Sequence, residues 1–272
     1  MSQDYRANLP FVYREIVSLE VQLLSGNRLQ VREPYIFAFS EEGGAELYSL
    51  LALPWGILNF DLSDFLSVVR SNFVETRGVF PILVCPSLEK SCYEPLLEYL
   101  IAYEFQEVRF LALIQEKRVR ARVRSGLALR EGEEIQMGTE IRHAFLKEVE
   151  SFMPQLSGMW KSLIDMKTNH PQLSWIYAYI GDELAGFGVY LVPGIQARLV
   201  TLYTGASWRG RGVGEAILSH FFRKAQESDA FILSSVVPEA STFKYYLGRF
   251  NFTEAFSFSI WFPPRPDFYK DA

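Results

Sequence analysis

The chain has 272 residues, of which 49% are hydrophobic and 22% charged, and its formal net charge at pH 7 is −5. These values predict a globular protein with enough apolar side chains for two domains, and they exclude a strongly basic nucleic-acid-binding protein. The N-terminal residues lack the apolar core of a signal peptide, and no stretch reaches the roughly 18 apolar residues of a membrane span. We therefore expect a cytoplasmic protein with no membrane partner.

Apolar periodicity in the first half predicts a mixture of helices and strands. Helices are expected at 11–24, 46–53, 63–75 and 93–103, and Ser63 is the expected N-cap of the third. Strands are expected at 34–39, 79–84 and 107–114, with 55–60 as a strand or an apolar loop. Cys85 and Cys92 lack neighbouring histidines, so they are interpreted as packing residues and no metal site is expected.

A run of basic residues at 117–124 separates the two halves of the chain. It fits a solvated edge strand or linker, because positive charge blocks edge pairing, and the alternative is a site for phosphate or an acidic partner. The domain boundary is expected between 125 and 138. We divide the chain into domains at 1–128 and 129–272.

The second half has a regular order of predicted elements. Helices are expected at 139–153 and 158–167, followed by strands at 175–180, 184–192 and 199–205, with a hairpin turn at Gly181-Asp182. A glycine-rich turn then leads into a helix at 215–226. A strand at 231–236, a helix at 241–249 and a strand at 254–262 complete the chain.

The glycine-rich turn has the composition of an anion-binding loop. Gly210, Gly212 and Gly214 let the backbone approach a ligand, and the helix that follows presents N–H groups without intrahelical partners. Arg209 and Arg211 add positive charge, which favours a diphosphate over a carboxylate. The spacing fits neither a Walker loop nor a dinucleotide-binding fingerprint.

Arg209, Gly212 and Gly214 resemble the Arg/Gln-x-x-Gly-x-Gly/Ala signature of the GNAT N-acetyltransferase superfamily. The element order after residue 139 is similar to that family over about 135 residues. The resemblance implies an α/β (α+β) fold with a mixed, mostly antiparallel sheet flanked by helices. It also implies acetyl coenzyme A (acetyl-CoA) as co-substrate and no metal.

Site residues follow from the resemblance by position. Main-chain groups of Tyr203 and its neighbours would flank a local opening of the sheet that admits the pantetheine arm, with the Tyr203 amide as a donor in catalysis. The implied cofactor-binding residues are Leu202, Tyr203, Thr204, Arg209, Gly210, Arg211, Gly212, Val213, Gly214 and Glu215.

The general acid is where the chain departs from the family. Leu247 stands where the family commonly has a tyrosine, and Tyr246 is our candidate acid, with an aromatic packing role as the alternative. A helix turns about 100° per residue, so Tyr246 does not simply replace residue 247. Tyr177, Tyr179, Tyr190 and Tyr203 are candidates for lining an acceptor cleft.

The first half aligns with the second when Phe105 is set against Phe252. The segment 60–64 then falls opposite the glycine-rich turn, and it has two acids and no glycine. Leu53-Pro54-Trp55 and Asn59 resemble a segment of GNAT proteins with a divergent N-terminal domain. We interpret the first half as a degenerate GNAT-like domain without the cofactor loop; chance similarity between two α/β halves is the alternative.

Three functions compete. The first is an N-acetyltransferase that uses direct attack of a small amine or peptide amino group within a ternary complex. The others are transfer of a longer acyl group and non-catalytic binding or sensing of acyl-CoA. The aromatic last strand would suit pairing with the other domain or with a second chain, so a homodimer is also considered.

Overall fold

The computed structural model describes residues 9–25, 28–32, 35–39, 50–52, 61–73, 82–84, 90–115, 126–132, 173–228 and 230–262. Its helices are α1 (Leu9–Ser25), α2 (Leu62–Phe73), α3 (Lys90–Ala102), α4 (Val213–Glu227) and α5 (Phe243–Gly248). Its strands are β1 (Arg28–Arg32), β2 (Tyr35–Phe39), β3 (Leu50–Ala52), β4 (Ile82–Val84), β5 (Gln106–Gln115), β6 (Ala128–Gly132), β7 (Ser174–Ile180), β8 (Glu183–Leu191), β9 (Gln196–Thr204), β10 (Ile232–Pro238) and β11 (Phe252–Phe262).

The chain divides into two compact units. Asp4–Ala112 and Ala255–Ala272 form the N-terminal unit, whereas Met1–Gln3 and Leu113–Glu254 form the C-terminal unit. β11, the last strand that the structure describes, therefore contributes most of its residues to the N-terminal unit, where Ile260 pairs antiparallel with Leu83 of β4.

After α1, the N-terminal unit contains a hairpin (β1 and β2), a strand (β3), a helix (α2), a strand (β4), a helix (α3) and a strand (β5). β1 and β2 form an antiparallel hairpin, and β3 pairs antiparallel with β2 and parallel with β4. Aromatic contacts fill its core: the Tyr13 and Phe256 rings lie 5.2 Å apart, and Phe110 stacks on Phe258 at 5.5 Å. The same order occurs in the second half as β7, β8, β9, α4, β10, α5 and β11. The interpretation of the first half as a degenerate copy stays a prediction.

The sheet of the C-terminal unit has the strand order β10-β9-β8-β7-β6. Its pairs are antiparallel except β9 with β10, which is parallel, so the expected mixed, mostly antiparallel sheet is confirmed. α4 covers one face closely, because a Cβ on Gly188 would overlap the side chain of Ile217. Trp175, Tyr177 and Phe187 belong to an aromatic cluster on the sheet.

Two predictions in the first half are wrong. Leu50–Ala52, predicted within a helix, is the strand β3, because pairing with two neighbouring strands outweighs a local helical pattern in a continuous apolar run. The N-cap of α2 is Asp61 and not Ser63: one Asp61 carboxylate oxygen accepts hydrogen bonds from the Ser63 and Asp64 amides at 2.8 and 3.2 Å. The strands β1 and β6 were not predicted.

The other predicted helices and strands that fall on described residues are confirmed within a few residues. The predicted helices 139–153 and 158–167, the basic run 117–124, and the segment containing Leu53-Pro54-Trp55 and Asn59 lie outside the described residues. The division into domains at residue 128 stays a prediction.

Candidate functional site

The parallel pair β9–β10 separates partway along its length. The last paired residues are Leu199 and Ser235, although β9 continues to Thr204 and β10 to Pro238. We call the opening beyond this pair the fork. The resemblance implies an opening of the sheet at this end of β9. The end of the pairing leaves backbone groups of β9 beyond Leu199 without a partner in β10.

A β-bulge lies at the base of the fork, on the other side of β9. Val189 of β8 is opposite Thr201, but the next residue, Tyr190, is opposite Leu199, so Val200 is the extra residue. A bulge of this kind shifts the alternation of the strand by one residue. Before the bulge, the backbone groups of every second residue of β9 face β10. After the bulge, the alternation is shifted by one residue, so the other set of alternate residues faces the fork.

The hydrogen bonds at the end of β9 show which backbone groups face the fork. The Gly205 amide donates to the Ala185 carbonyl of β8 at 2.9 Å. Since backbone groups alternate in an antiparallel ladder, those of Tyr203 also point toward β8, and those of Leu202 and Thr204 point toward the fork. The Tyr203 ring stacks on Phe187 at 5.3 Å.

The glycine loop, residues 205–215, follows directly. A 3-10 turn at Ala206–Trp208 leads to Gly210 and Gly212, whose φ angles are 73° and 86°. Both values favour glycine, because other residues are strained there. α4 begins after Gly212 without a side-chain hydrogen bond at its cap. The first N–H groups of α4 have no carbonyl partner within the helix, and its dipole favours an anion.

Both arginines of the glycine loop have local contacts. The Nε of Arg209 donates to the Thr204 carbonyl at 3.4 Å, a long hydrogen bond at the end of β9. The guanidinium of Arg211 lies 4.8 Å from the centre of the Trp208 ring, a cation–π contact. Both side chains are exposed.

Tyr246 of α5 reaches the start of α4. Its ring stacks on Phe243 at 6.0 Å and contacts Phe250 at 5.3 Å. A Cβ on Gly214 would stand 2.6 Å from the Tyr246 hydroxyl oxygen and 3.4 Å from Leu202. The hydroxyl is buried, and within the described part of the chain it has no hydrogen-bond partner. Tyr246 therefore brings a buried phenol beside two of the predicted cofactor-binding residues.

Burial, and after it the nearby Glu215 carboxylate, raise the pKa of Tyr246, whereas Arg249 lowers it; the net pKa is about 12. The phenol is therefore protonated throughout the physiological pH range. Leu247, where the resemblance would place a tyrosine, is fully buried, and Tyr245 is 71% exposed. Of these three neighbouring positions, only residue 246 brings a phenol to the glycine loop.

The predicted aromatic residues of an acceptor cleft separate into two groups. Tyr177, Tyr179 and Tyr203 belong to one cluster with Phe187. Tyr190 instead contacts His220 and Phe221 of α4, at 6.4 and 6.0 Å between ring centres. Burial raises the pKa values of Tyr177 and Tyr203, so both stay neutral near pH 7.

The corresponding helix start in the N-terminal unit is already occupied. The Asp61 carboxylate accepts from the amides of the first turn of α2, where a bound anion would otherwise lie. The start of α4 has a glycine at the same place. The contrast favours α4 over α2 as the anion-binding helix.

No group of three or more His, Cys, Asp and Glu side chains that could hold a metal ion occurs among the described residues. None of the helices that the structure describes is long and apolar enough to cross a membrane.

Similar folds occur among solved structures. A GCN5-related N-acetyltransferase from Kribbella flavida superposes with a TM-score of 0.59 at 13% identity, covering 93% of this chain and 96% of that one. A functionally unknown conserved protein from Staphylococcus epidermidis gives a TM-score of 0.61 at 13% identity, covering 89% and 96%.

A tandem GNAT protein from the clavulanic acid biosynthesis pathway gives a TM-score of 0.52 at 11% identity, covering 84% of this chain and 77% of that one. No curated protein matches the sequence. The model of the acetyltransferase (GNAT) family matches residues 139–252, which include β7 to β10, the glycine loop, α4 and α5. The chain therefore carries a domain of the GNAT acetyltransferase family, whose chemistry is acyl transfer.

Proposed function

We propose that the protein transfers an acetyl group from acetyl-CoA to a primary amine, by direct attack of the amine within a ternary complex. The observation that carries this proposal is the fork between β9 and β10, which opens beside the start of α4, where no side chain caps the helix. An extended ligand with an anionic end fits this combination, because the fork offers unpaired backbone groups and the helix start favours negative charge.

The diphosphate of acetyl-CoA would lie on the glycine loop. The main-chain amides from Gly210 to Glu215 would donate to it, and Arg209 and Arg211 would supply opposite charge. The positive φ angles of Gly210 and Gly212 orient this stretch of backbone. Gly214 allows close contact with α5, where Tyr246 lies.

The pantetheine arm would lie in the fork and pair with β9. We assign this pairing to the backbone groups of Leu202 and Thr204, since alternation directs those of Tyr203 toward β8. The same reasoning moves the proposed main-chain donor to the thioester oxygen from Tyr203 to Leu202 or Thr204. The Tyr203 side chain would then face the acceptor from the aromatic cluster.

In the proposed reaction the neutral amine attacks the thioester carbon, and the resulting oxyanion accepts hydrogen bonds from the main chain of β9. The carbon–sulfur bond then breaks and the thiolate leaves. Tyr246 would donate a hydrogen bond and finally a proton to that sulfur, because its phenol is protonated at physiological pH and lies beside Leu202 and Gly214. A protein base or water removes the proton from the amine.

We further propose that the N-terminal domain, 1–128, holds no cofactor and that 129–272 performs the chemistry, because Asp61 occupies the helix start that an anion would need. One specific observation favours a second function: Leu247 replaces the family's tyrosine and is fully buried, which suits a protein that binds acyl-CoA without turnover.

Release of free coenzyme A thiol from acetyl-CoA, measured with a panel of amines and with acyl chains of increasing length, tests the proposal. Amine-dependent release that is fastest with the acetyl donor supports it. Faster release with longer chains would indicate another acyl donor. Binding of acyl-CoA without release of the thiol, whichever amine is added, would favour a sensing protein.

A further inference from the structure

The base of the fork is marked by one side-chain hydrogen bond. The Ser235 hydroxyl of β10 donates to the Leu199 carbonyl of β9 at 3.0 Å. Leu199 and Ser235 are also the last paired residues of the two strands. Both residues are fully buried, so water does not compete for this bond.

This bond lies at the end of the paired segment of β9 and β10, where the strands separate most easily. A strand pair frays from its end, and losing the Leu199–Ser235 rung would lengthen the fork by one residue. The Val200 bulge fixes β9 on the β8 side of the same point, but it does nothing to hold β10. The Ser235 hydroxyl adds a cross-strand bond there, and one such bond generally changes an equilibrium constant by about two- to tenfold.

We infer that Ser235 is a positioning residue that sets the depth of the fork, and through it the register at which an acyl-CoA arm pairs with β9. This inference rests on the proposed function. An arm that slides by one residue would place its thioester about 3.3 Å away from the groups that act on it. Ser235 itself contacts neither the glycine loop nor Tyr246 in any hydrogen bond of the described structure, so its effect is exerted through Leu199.

The chain offers a matched control in the neighbouring residue. Ser234 is also fully buried, and its hydroxyl accepts a hydrogen bond from Nε2 of the Gln196 side chain at 2.9 Å. That bond also joins β10 to β9, but it lies in the closed part of the pair, where Ser234 is opposite Arg198. Removing either hydroxyl costs one buried cross-strand bond, and only one of the two lies at the fork.

The experiment compares Ser235→Ala, Ser234→Ala and Ser235→Thr in the full chain. Thermal midpoints, the Kd of acetyl-CoA by calorimetry, and the KM values of donor and acceptor are measured for each. We expect Ser235→Ala to raise the Kd and the donor KM by about three- to tenfold with an unchanged acceptor KM, and Ser235→Thr to restore both. Ser234→Ala should bind acetyl-CoA within about twofold of the affinity of the unmodified chain, although it lowers the thermal midpoint at least as much as Ser235→Ala does.

The inference is overturned if Ser235→Ala binds acetyl-CoA as tightly as the unmodified chain, or if Ser234→Ala weakens binding equally. Should Ser235→Ala fail to fold, Ser235→Thr and Ser235→Cys decide instead, since Cys is the weaker donor and should bind acetyl-CoA less tightly than Thr. Equal affinity of those two variants counts against the inference. If the unmodified chain binds no acetyl-CoA, the proposed function fails first and this inference falls with it.

Discussion

The hydroxyl of Tyr246 lies directly against Gly214, so that a Cβ on the glycine would stand 2.6 Å from the phenol oxygen. The GNAT signature admits alanine at this position, but the phenol leaves no room for its methyl group in this chain. The residue type at 214 is therefore coupled to the residue type at 246, on two elements that are separate in sequence.

This coupling predicts non-additive mutations. Gly214→Ala should lower the free energy of unfolding by about 1–3 kcal/mol, because Tyr246 has to shift within a packed site. The double variant Gly214→Ala/Tyr246→Phe lacks the phenol oxygen, which is the atom nearest to the new methyl group. It should therefore be more stable than the sum of the two single effects predicts. Urea unfolding of the unmodified chain, the two single variants and the double variant measures the coupling free energy. Additive effects would show that the two residues do not share this space.

Tyr246→Phe alone should separate stability from activity. It removes a buried hydroxyl that has no partner in the described structure, so we expect a gain in unfolding free energy of about 1 kcal/mol. As the proposed acid, the same hydroxyl should contribute about 100-fold to turnover. Unfolding and steady-state kinetics check both, with the exposed Tyr245→Phe as control. Full activity in Tyr246→Phe would remove Tyr246 from the mechanism.

The raised pKa of Tyr246 predicts how stability changes at alkaline pH. A phenol with a pKa near 10 in the unfolded chain and about 12 in the folded one ionises first in the unfolded chain, so the fold is more stable below pH 10 than above it. That contribution is lost as the pH rises from about 10 through 12. The unfolding free energy of Tyr246→Phe should therefore fall less between pH 8 and pH 11 than that of the unmodified chain. Parallel losses would contradict the burial of this hydroxyl.

Much of the fold followed from sequence periodicity. From β7 to α5, apolar alternation and helical spacing gave each element within a few residues, because those segments are long and strongly patterned. β3 was missed because three apolar residues take their conformation from β2 and β4. β6 was missed because its polar and charged residues give no clear alternation.

The glycines and arginines of the candidate site carry a local signature in the sequence, whereas Leu202, Thr204 and Tyr246 were candidates only through the family resemblance. The Val200 bulge and the contact between Tyr246 and Gly214 depend on tertiary packing that no spacing rule shows. The bulge matters most, because it reverses the alternation of β9 and so directs Leu202 and Thr204, in place of Tyr203, toward the fork.

Two substitutions at Gly212 separate charge from backbone strain. The φ of 86° disfavours any side chain, but Asn and Asp tolerate this region about equally and have the same size. Gly212→Asp should bind acetyl-CoA at least about fivefold more weakly than Gly212→Asn, because a carboxylate about 4 Å from a phosphate costs about 1 kcal/mol or more. Calorimetric titration measures both Kd values. Equal affinities would show that no anion lies at this turn.

We propose that the glycine loop is the single acetyl-CoA site of the chain. Calorimetric titration of the full chain with acetyl-CoA, paired with a thermal shift, tests it most directly. We predict one molecule bound per chain and, at about 100 times the Kd, a stabilisation of about 2.7 kcal/mol. Absence of binding heat and of any thermal shift would contradict the site itself. Two molecules of acetyl-CoA bound per chain would contradict the proposal that Asp61, at the start of α2, keeps an anion from binding to the N-terminal unit.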